Sequence, residues 1–136
     1  MQRKLLIVED NLPTREMLTL AFSEAGFCVI TADDGYAGLD QARAERPDVI
    51  LTDIEMPNLD GIQMIQRLRQ EPECQGIPVL VMSAVHTGVL RQAIAAGAHE
   101  AVQKPAGLML LIHLVNQILG TAMMIAGFSI FTLHIG

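Results

Sequence analysis

The chain has 136 residues, enough for one domain with a genuine core and too few for two. Its formal net charge is −6 and its nine Lys and Arg are scattered, which excludes a surface able to track a phosphate backbone; no direct nucleic-acid binding is expected. Apolar residues make up 51% of the chain, yet there is no Trp and one Tyr, so the core must be aliphatic.

The opening MQRKLLIVED becomes acidic straight after LLIV and lacks the apolar stretch of a secretion signal, so a cytoplasmic location is expected. KLLIV (4–8), FCVIT (27–31), DVILT (48–52), IPVLVM (77–82) and EAVQ (100–103) read as strands, most of them short and continuously apolar, as strands covered on both faces are. Helical periods fall between them. The first, about 12–25, places Met17, Leu18, Ala21, Phe22 and Ala25 on one face, with Pro13 near its start and Gly26 past its end. The second runs from Asp34 to about Ala44. The third, from Gly61 to about Gln70, turns Ile62, Ile65 and Leu68 inward; the fourth covers about 87–96 and the fifth about 106–119.

Five βα units in strict alternation predict an α/β fold with a parallel sheet and helices on both faces. Right-handed crossovers leave few topologies, and the flavodoxin-like doubly wound order 2-1-3-4-5 suits five strands. Cys28, inside a strand, reads as a small buried hydrophobe, and Cys74 lies in the polar loop EPECQG. Two cysteines and four histidines without ligand spacing make a disulfide framework or a zinc site a poor reading.

In such a sheet, ligands bind at the carboxyl ends of the strands. Strand 1 ends in Glu9 and Asp10, strand 3 in Asp53, strand 4 in Ser83 and strand 5 in Lys104. Three carboxylates, a hydroxyl and an ammonium should therefore meet in one crevice. Crowded carboxylates need either a retained proton or a cation, and oxygen-only ligands favour a hard ion, Mg²⁺ or another divalent cation such as Mn²⁺. Lys104 supplies a point charge for a phosphate oxygen or for Asp53, while the Ser83 hydroxyl and the Ala84 N–H supply donors. Such a set has the parts for phosphoryl transfer, with Asp53 able to attack phosphorus and become an acyl phosphate. Taken singly, each residue has an ordinary role: Asp10 or Asn11 as a helix cap, Ser83 as a cap, Lys104 as a solvated lysine in a turn. Four strand ends on one edge make coincidence a poor account.

The blocks LLIVEDN, ADDGYAGL, PDVILTDIEMPNLDG, IPVLVMSA and AGAHEAVQKP, from Lys4 to about Gly120, resemble the receiver domain of two-component response regulators. The resemblance implies that Asp53 accepts a phosphoryl group from a histidine kinase or phosphotransfer protein. It implies Mg²⁺ ligands in Glu9, Asp10, Asp53 and the backbone carbonyl of Glu55. Phosphoryl contacts would come from Ser83, Ala84 and Lys104, and the Lys104–Pro105 peptide would be cis. On this reading the chain catalyses only its own phosphorylation and dephosphorylation, and signals by changed contacts with a downstream protein. The sequence departs from the family pattern at Ala101, where Tyr or Phe is usual, so the aromatic switch cannot work in its usual form. Ala106 stands where Phe is common, and LMLLIHLVNQIL carries no charge where the fifth helix usually carries several.

Two rivals remain. A small-molecule phosphatase would use Glu55, two residues after the nucleophile, as general acid, but one domain leaves no cap to enclose a substrate. A pseudo-receiver would bind partners without taking phosphate. A flavin or nucleotide module is weaker, since the turn EDNLPT lacks phosphate-cradling glycines. The domain is expected over 1–120, with no DNA-binding module beyond it, followed by an apolar tail, 121–136. The tail is too short for a convincing membrane span and too apolar to leave in water. It is either an incidental apolar end or a partner for the spare apolar face of helix 5. A homodimer through helix 5 and the tail is preferred to a contact within one chain, because one small domain has little free apolar surface.

Overall fold

The computed structural model describes residues 2–84, 87–104 and 106–120. The expectations for the 121–136 tail and for the peptide at Pro105 lie outside these residues. Strands β1 (Lys4–Val8), β2 (Cys28–Ala32), β3 (Val49–Asp53), β4 (Val79–Ser83) and β5 (Glu100–Gln103) alternate with helices α1 (Leu12–Glu24), α2 (Gly35–Glu45), α3 (Gly61–Gln70), α4 (Thr87–Ala96) and α5 (108–120). The strands form one parallel sheet in the order β2-β1-β3-β4-β5, as the alternation predicts. Strands 2, 3 and 4 each end one residue later than their apolar runs suggest, which carries Asp53 and Ser83 inside the ladder, opposite Met82 and Gln103.

The apolar residues of the strands divide by period two between two cores. Leu6, Val8, Ile50, Val79 and Val81 pack under α2, α3 and α4 with Leu39, Met64, Ile65, Leu68 and Ala93. Leu5, Ile7, Val49, Leu51, Leu80 and Met82 pack under α1 and α5 with Leu18, Phe22, Leu111, Val115 and Leu119. Phe22 meets Phe27 edge-on at 5.5 Å between ring centroids, which closes the second core below α1.

Several side chains fall differently from the periodic reading. Met17 is 49% exposed and Ala25 is exposed, so α1 buries only Leu18 and Phe22. On α3 it is Met64 that turns inward beside Ile65 and Leu68, while Ile62 is only partly covered. The cysteines exchange roles. Cys28 is exposed, because β2 is an edge strand and Cys28 is its first residue. Cys74 is fully buried, because the loop after α3 folds under and joins the core with Leu68 and Ile77.

That loop is fastened by Arg69. Its guanidinium donates to the carbonyls of Cys74 (3.3 Å), Gln75 (3.0 Å) and Gly97 (2.9 Å), tying the β4 approach to the turn before β5. Gly97 stands at φ +120°, where a Cβ would press on the Arg69 side chain. Replacing Arg69 by Met keeps the stem and removes the donors. Urea unfolding of Arg69→Met is expected to show a loss of about 2 kcal/mol, the scale of charged hydrogen bonds left unmade; an unchanged midpoint would show that water replaces them without cost.

Candidate functional site

The acidic pair at the end of β1 has its helix capping done by a neighbour. Asn11 is the N-cap of α1 and accepts from the Thr14 N–H at 3.0 Å, so Asp10 keeps its carboxylate for the cleft. Glu9 is fully buried; its Oε2 accepts from the Asn11 N–H at 3.2 Å, and its backbone carbonyl accepts from Arg15 Nη1 at 2.7 Å. Asp53, 6% exposed at the end of β3, accepts at Oδ1 from the N–H groups of Ile54 (2.7 Å) and Glu55 (3.3 Å). One oxygen from each of Glu9, Asp10 and Asp53 lies within 4.8 Å of the others, the one such acidic group among the described residues.

Lys104 reaches into this group from the end of β5. Its Nζ donates to Glu9 Oε1 at 2.9 Å and to Asp53 Oδ2 at 2.8 Å, while its backbone N–H donates to the Ser83 carbonyl at 2.7 Å. Ser83 is fully buried at the end of β4, and Ala84 beside it is exposed. Glu55 is an exposed loop residue held to Asp53 through its own N–H. Glu9, Asp10, Asp53 and Lys104 thus meet as the strand-end reading requires, with Ser83 bonded to Lys104 through the main chain.

Two contributors to the site carry no charge and were missed by sequence reasoning. Gly61, the first residue of α3, sits where a Cβ would collide with the Asp53 carbonyl oxygen and come 2.9 Å from Ile54 Cα, while its N–H donates to the Ile54 carbonyl at 2.8 Å. The Asp60 capping box with Gln63 sets α3 at that point, and Asp-Gly before a helical period was the available signal. Thr52, fully buried, donates its hydroxyl to the Asp53 carbonyl at 2.8 Å; nothing in VILTD distinguishes that threonine from an ordinary strand residue.

The electrostatics follow from burial. Burial pushes the Glu9 carboxyl up; the Lys104 hydrogen bond opposes this without reversing it, and the nearby Asp53 charge adds to the rise. For Lys104, burial pulls downward, but hydrogen bonds to Asp53 and Glu9 and their charges outweigh it, so the ammonium is held above its usual range. The stabilisation from Lys104 is therefore complete at neutral pH and is lost only as pH rises through its elevated value, above 10.5. Glu9 works in the opposite sense. The fold binds its proton better than the unfolded chain does, so stability declines as pH rises from 4.5 through the elevated value.

A flavodoxin-like five-stranded sheet with an acid pair, a strand-end aspartate and an inward lysine at its carboxyl edge defines a receiver domain. The family model described as "Response regulator receiver domain" matches residues 5–116, and the chain belongs to that family. The transcriptional regulatory protein CseB of Streptomyces coelicolor is 38% identical over 105 residues, covering 76% of this chain and 44% of the relative. Response regulator MprA of Mycobacterium bovis is 35% identical over 106 residues, covering 77% and 45%. The chain thus spans less than half the length of these relatives. Among solved structures, the chemotaxis response regulator CheY4 of Vibrio cholerae matches with a TM-score of 0.82 at 27% identity, covering 87% of this chain and 99% of that one.

Removing the ammonium leaves two buried carboxylates facing one another. In Lys104→Met, measured in EDTA, Glu9 should rise further and stability should fall more steeply with pH above 4.5 than in the parent, by urea unfolding across the pH range. Divalent cation should restore much of the loss. Parallel pH profiles for variant and parent would rule out the pairing as the source of the effect.

Proposed function

We propose that this domain takes a phosphoryl group from a histidine kinase or phosphotransfer protein onto Asp53, in a reaction that needs Mg²⁺ or a similar divalent cation. The observation that carries the reading is the pinned carboxylate: Asp53 is held at one oxygen by Lys104 and at the other by the Ile54 and Glu55 amides, at the mouth of an acidic cleft. The donor set suits the ion. Glu9, Asp10 and Asp53 offer oxygens alone, close enough to share one cation, and no Cys or His stands among them. The Glu55 carbonyl is the further ligand suggested by the family pattern. A bound divalent ion would neutralise charge on the carboxylates and on the incoming phosphoryl oxygens.

The protein's own groups do the rest. A carboxylate oxygen of Asp53 attacks phosphorus as the phosphorus–nitrogen bond of a phosphohistidine breaks; the imidazole leaves with the bonding electrons and then takes a proton. The rigid strand end holds the attacking oxygen in place, which lowers the entropic cost of reaching the transition state. As the acyl phosphate forms, Lys104 is free to follow the new phosphoryl oxygens, with the Ser83 hydroxyl and the Ala84 N–H as further donors. Hydrolysis of the acyl phosphate by water returns the carboxylate, so the chain catalyses its own turnover and nothing else.

A phosphatase acting on small molecules has less support. Glu55 lies exposed on the loop, where its backbone N–H donates to Asp53 Oδ1. The proposed surroundings are cytosolic, with a kinase on one side of the exchange and a protein partner on the other. No helix among the described residues is long and apolar enough to cross a membrane. The homodimer through α5 and the tail remains part of this proposal; α5 exposes Met109 (83%) and Leu110 (47%).

Intact mass measurement after exposure to acetyl phosphate and Mg²⁺ tests the reading. One phosphoryl group is expected on the parent and none on Asp53→Asn or on the parent in EDTA. Labelling that survives either change would remove Asp53, or the ion, from the mechanism.

A further inference from the structure

Thr52 presents a puzzle that the reading above does not resolve. It lies between Val8 on β1 and Val81 on β4 in the ladder, and both valines belong to the aliphatic core under α2, α3 and α4. Valine would fill that place and suit a strand equally well, whereas a hydroxyl there is costly unless bonded. Its bond goes to the carbonyl oxygen of the next residue, Asp53, at 2.8 Å.

That oxygen belongs to the same peptide unit as the Ile54 N–H. A trans peptide is planar, with its C=O and N–H pointing in opposite directions, so fixing the oxygen fixes the hydrogen. With the Asp53 carbonyl drawn toward Thr52 on the core side, the Ile54 N–H is turned toward the cleft, where it meets Asp53 Oδ1 at 2.7 Å. The opposite carboxylate oxygen then faces Lys104 Nζ at 2.8 Å. Gly61 closes the arrangement from the α3 side, since only a residue without Cβ leaves room for the carbonyl in this position.

We propose that Thr52 is a positioning residue for phosphoryl acceptance: its buried hydroxyl, by holding the Asp53 carbonyl, aims the Ile54 amide at the Asp53 carboxylate and fixes the direction of the nucleophile. This rests on Asp53 being the phosphoacceptor. The inference is specific to the hydroxyl and not to the bulk of the side chain. Thr52→Val removes the hydroxyl and keeps the shape; Thr52→Ser keeps the hydroxyl and loses a methyl group.

Phosphorylation by acetyl phosphate at saturating Mg²⁺, melting temperature, and hydrogen exchange at the Ile54 amide are measured on parent and both variants. Thr52→Val should label about tenfold more slowly, the factor associated with one hydrogen bond's contribution to a barrier, while remaining folded. Its Ile54 amide should exchange faster, and Thr52→Ser should restore both rate and protection. Labelling of Thr52→Val at the parental rate with unchanged exchange would overturn the proposal, as would a serine variant as slow as the valine one. Should valine not fold, Thr52→Ala removes the same hydroxyl and takes its place. If the parent itself does not label, the phosphoacceptor reading fails, and exchange at Ile54 still decides whether Thr52 orients the amide.

Discussion

The contact between Lys104 and the two carboxylates of Glu9 and Asp53 joins the ends of β5, β1 and β3. It is the interaction on which the site depends, because it sets one ammonium against two almost fully buried acids. Its consequences run in both directions along the chain. It draws the end of β5 over the cleft, and it leaves Glu9 with a rise in proton affinity that burial imposes and Lys104 only partly offsets. Any further charge entering the cleft would have to be set against this existing pairing.

Rigidity is supplied from below the cleft. β3 is buried along its whole length, and its neighbours β1 and β4 flank it in parallel register. A carboxylate on a loop would need to be ordered whenever it engaged a ligand, whereas Asp53 is ordered by the same packing that folds the domain. The turn that follows is equally constrained. Asn58 takes a left-handed conformation at φ 70° and donates through Nδ2 to Asp34 Oδ2 at 3.1 Å, so the loop after Asp53 is bonded to the N-cap of α2. That cap in turn lies next to Gly35, where a Cβ would collide with the Leu59 carbonyl. The loops at this edge therefore brace one another.

Much of this was legible in the sequence, for identifiable reasons. Continuous apolar runs separated by helical periods specify a parallel sheet, and the strand ends then specify which residues converge, so Glu9, Asp10, Asp53, Ser83 and Lys104 could be found without coordinates. What could not be read was anything set by two segments at once. Cys28 is exposed and Cys74 buried because of strand order and loop folding, neither of which is visible in FCVIT or EPECQG. On α3 Met64 is fully buried and Ile62 only partly covered, because the inward face is set by the strands and helices packed against it. Thr52 and Gly61 act through backbone atoms, and main-chain contacts leave no signature in residue type beyond a small side chain or an unexpected hydroxyl.

How a charge change at Asp53 leaves the cleft is constrained by what β5 contains. Ala101 is half-buried, in register with Val81, and packs toward the core beneath α4. Its methyl group cannot trade a buried for an exposed position as a ring would. One connection the structure offers passes through Lys104. Its side chain bonds Glu9 and Asp53, and its main-chain N–H bonds the carbonyl of Ser83, so one residue spans the charged groups and the backbone of β4. A phosphoryl group that redirected the Lys104 ammonium would act on that backbone bond first, and through it on the ends of β4 and β5. Under the proposed phosphorylation, an output surface at β4 and β5 would then be reached through the strand ends, since Ala101 has no ring to carry the change.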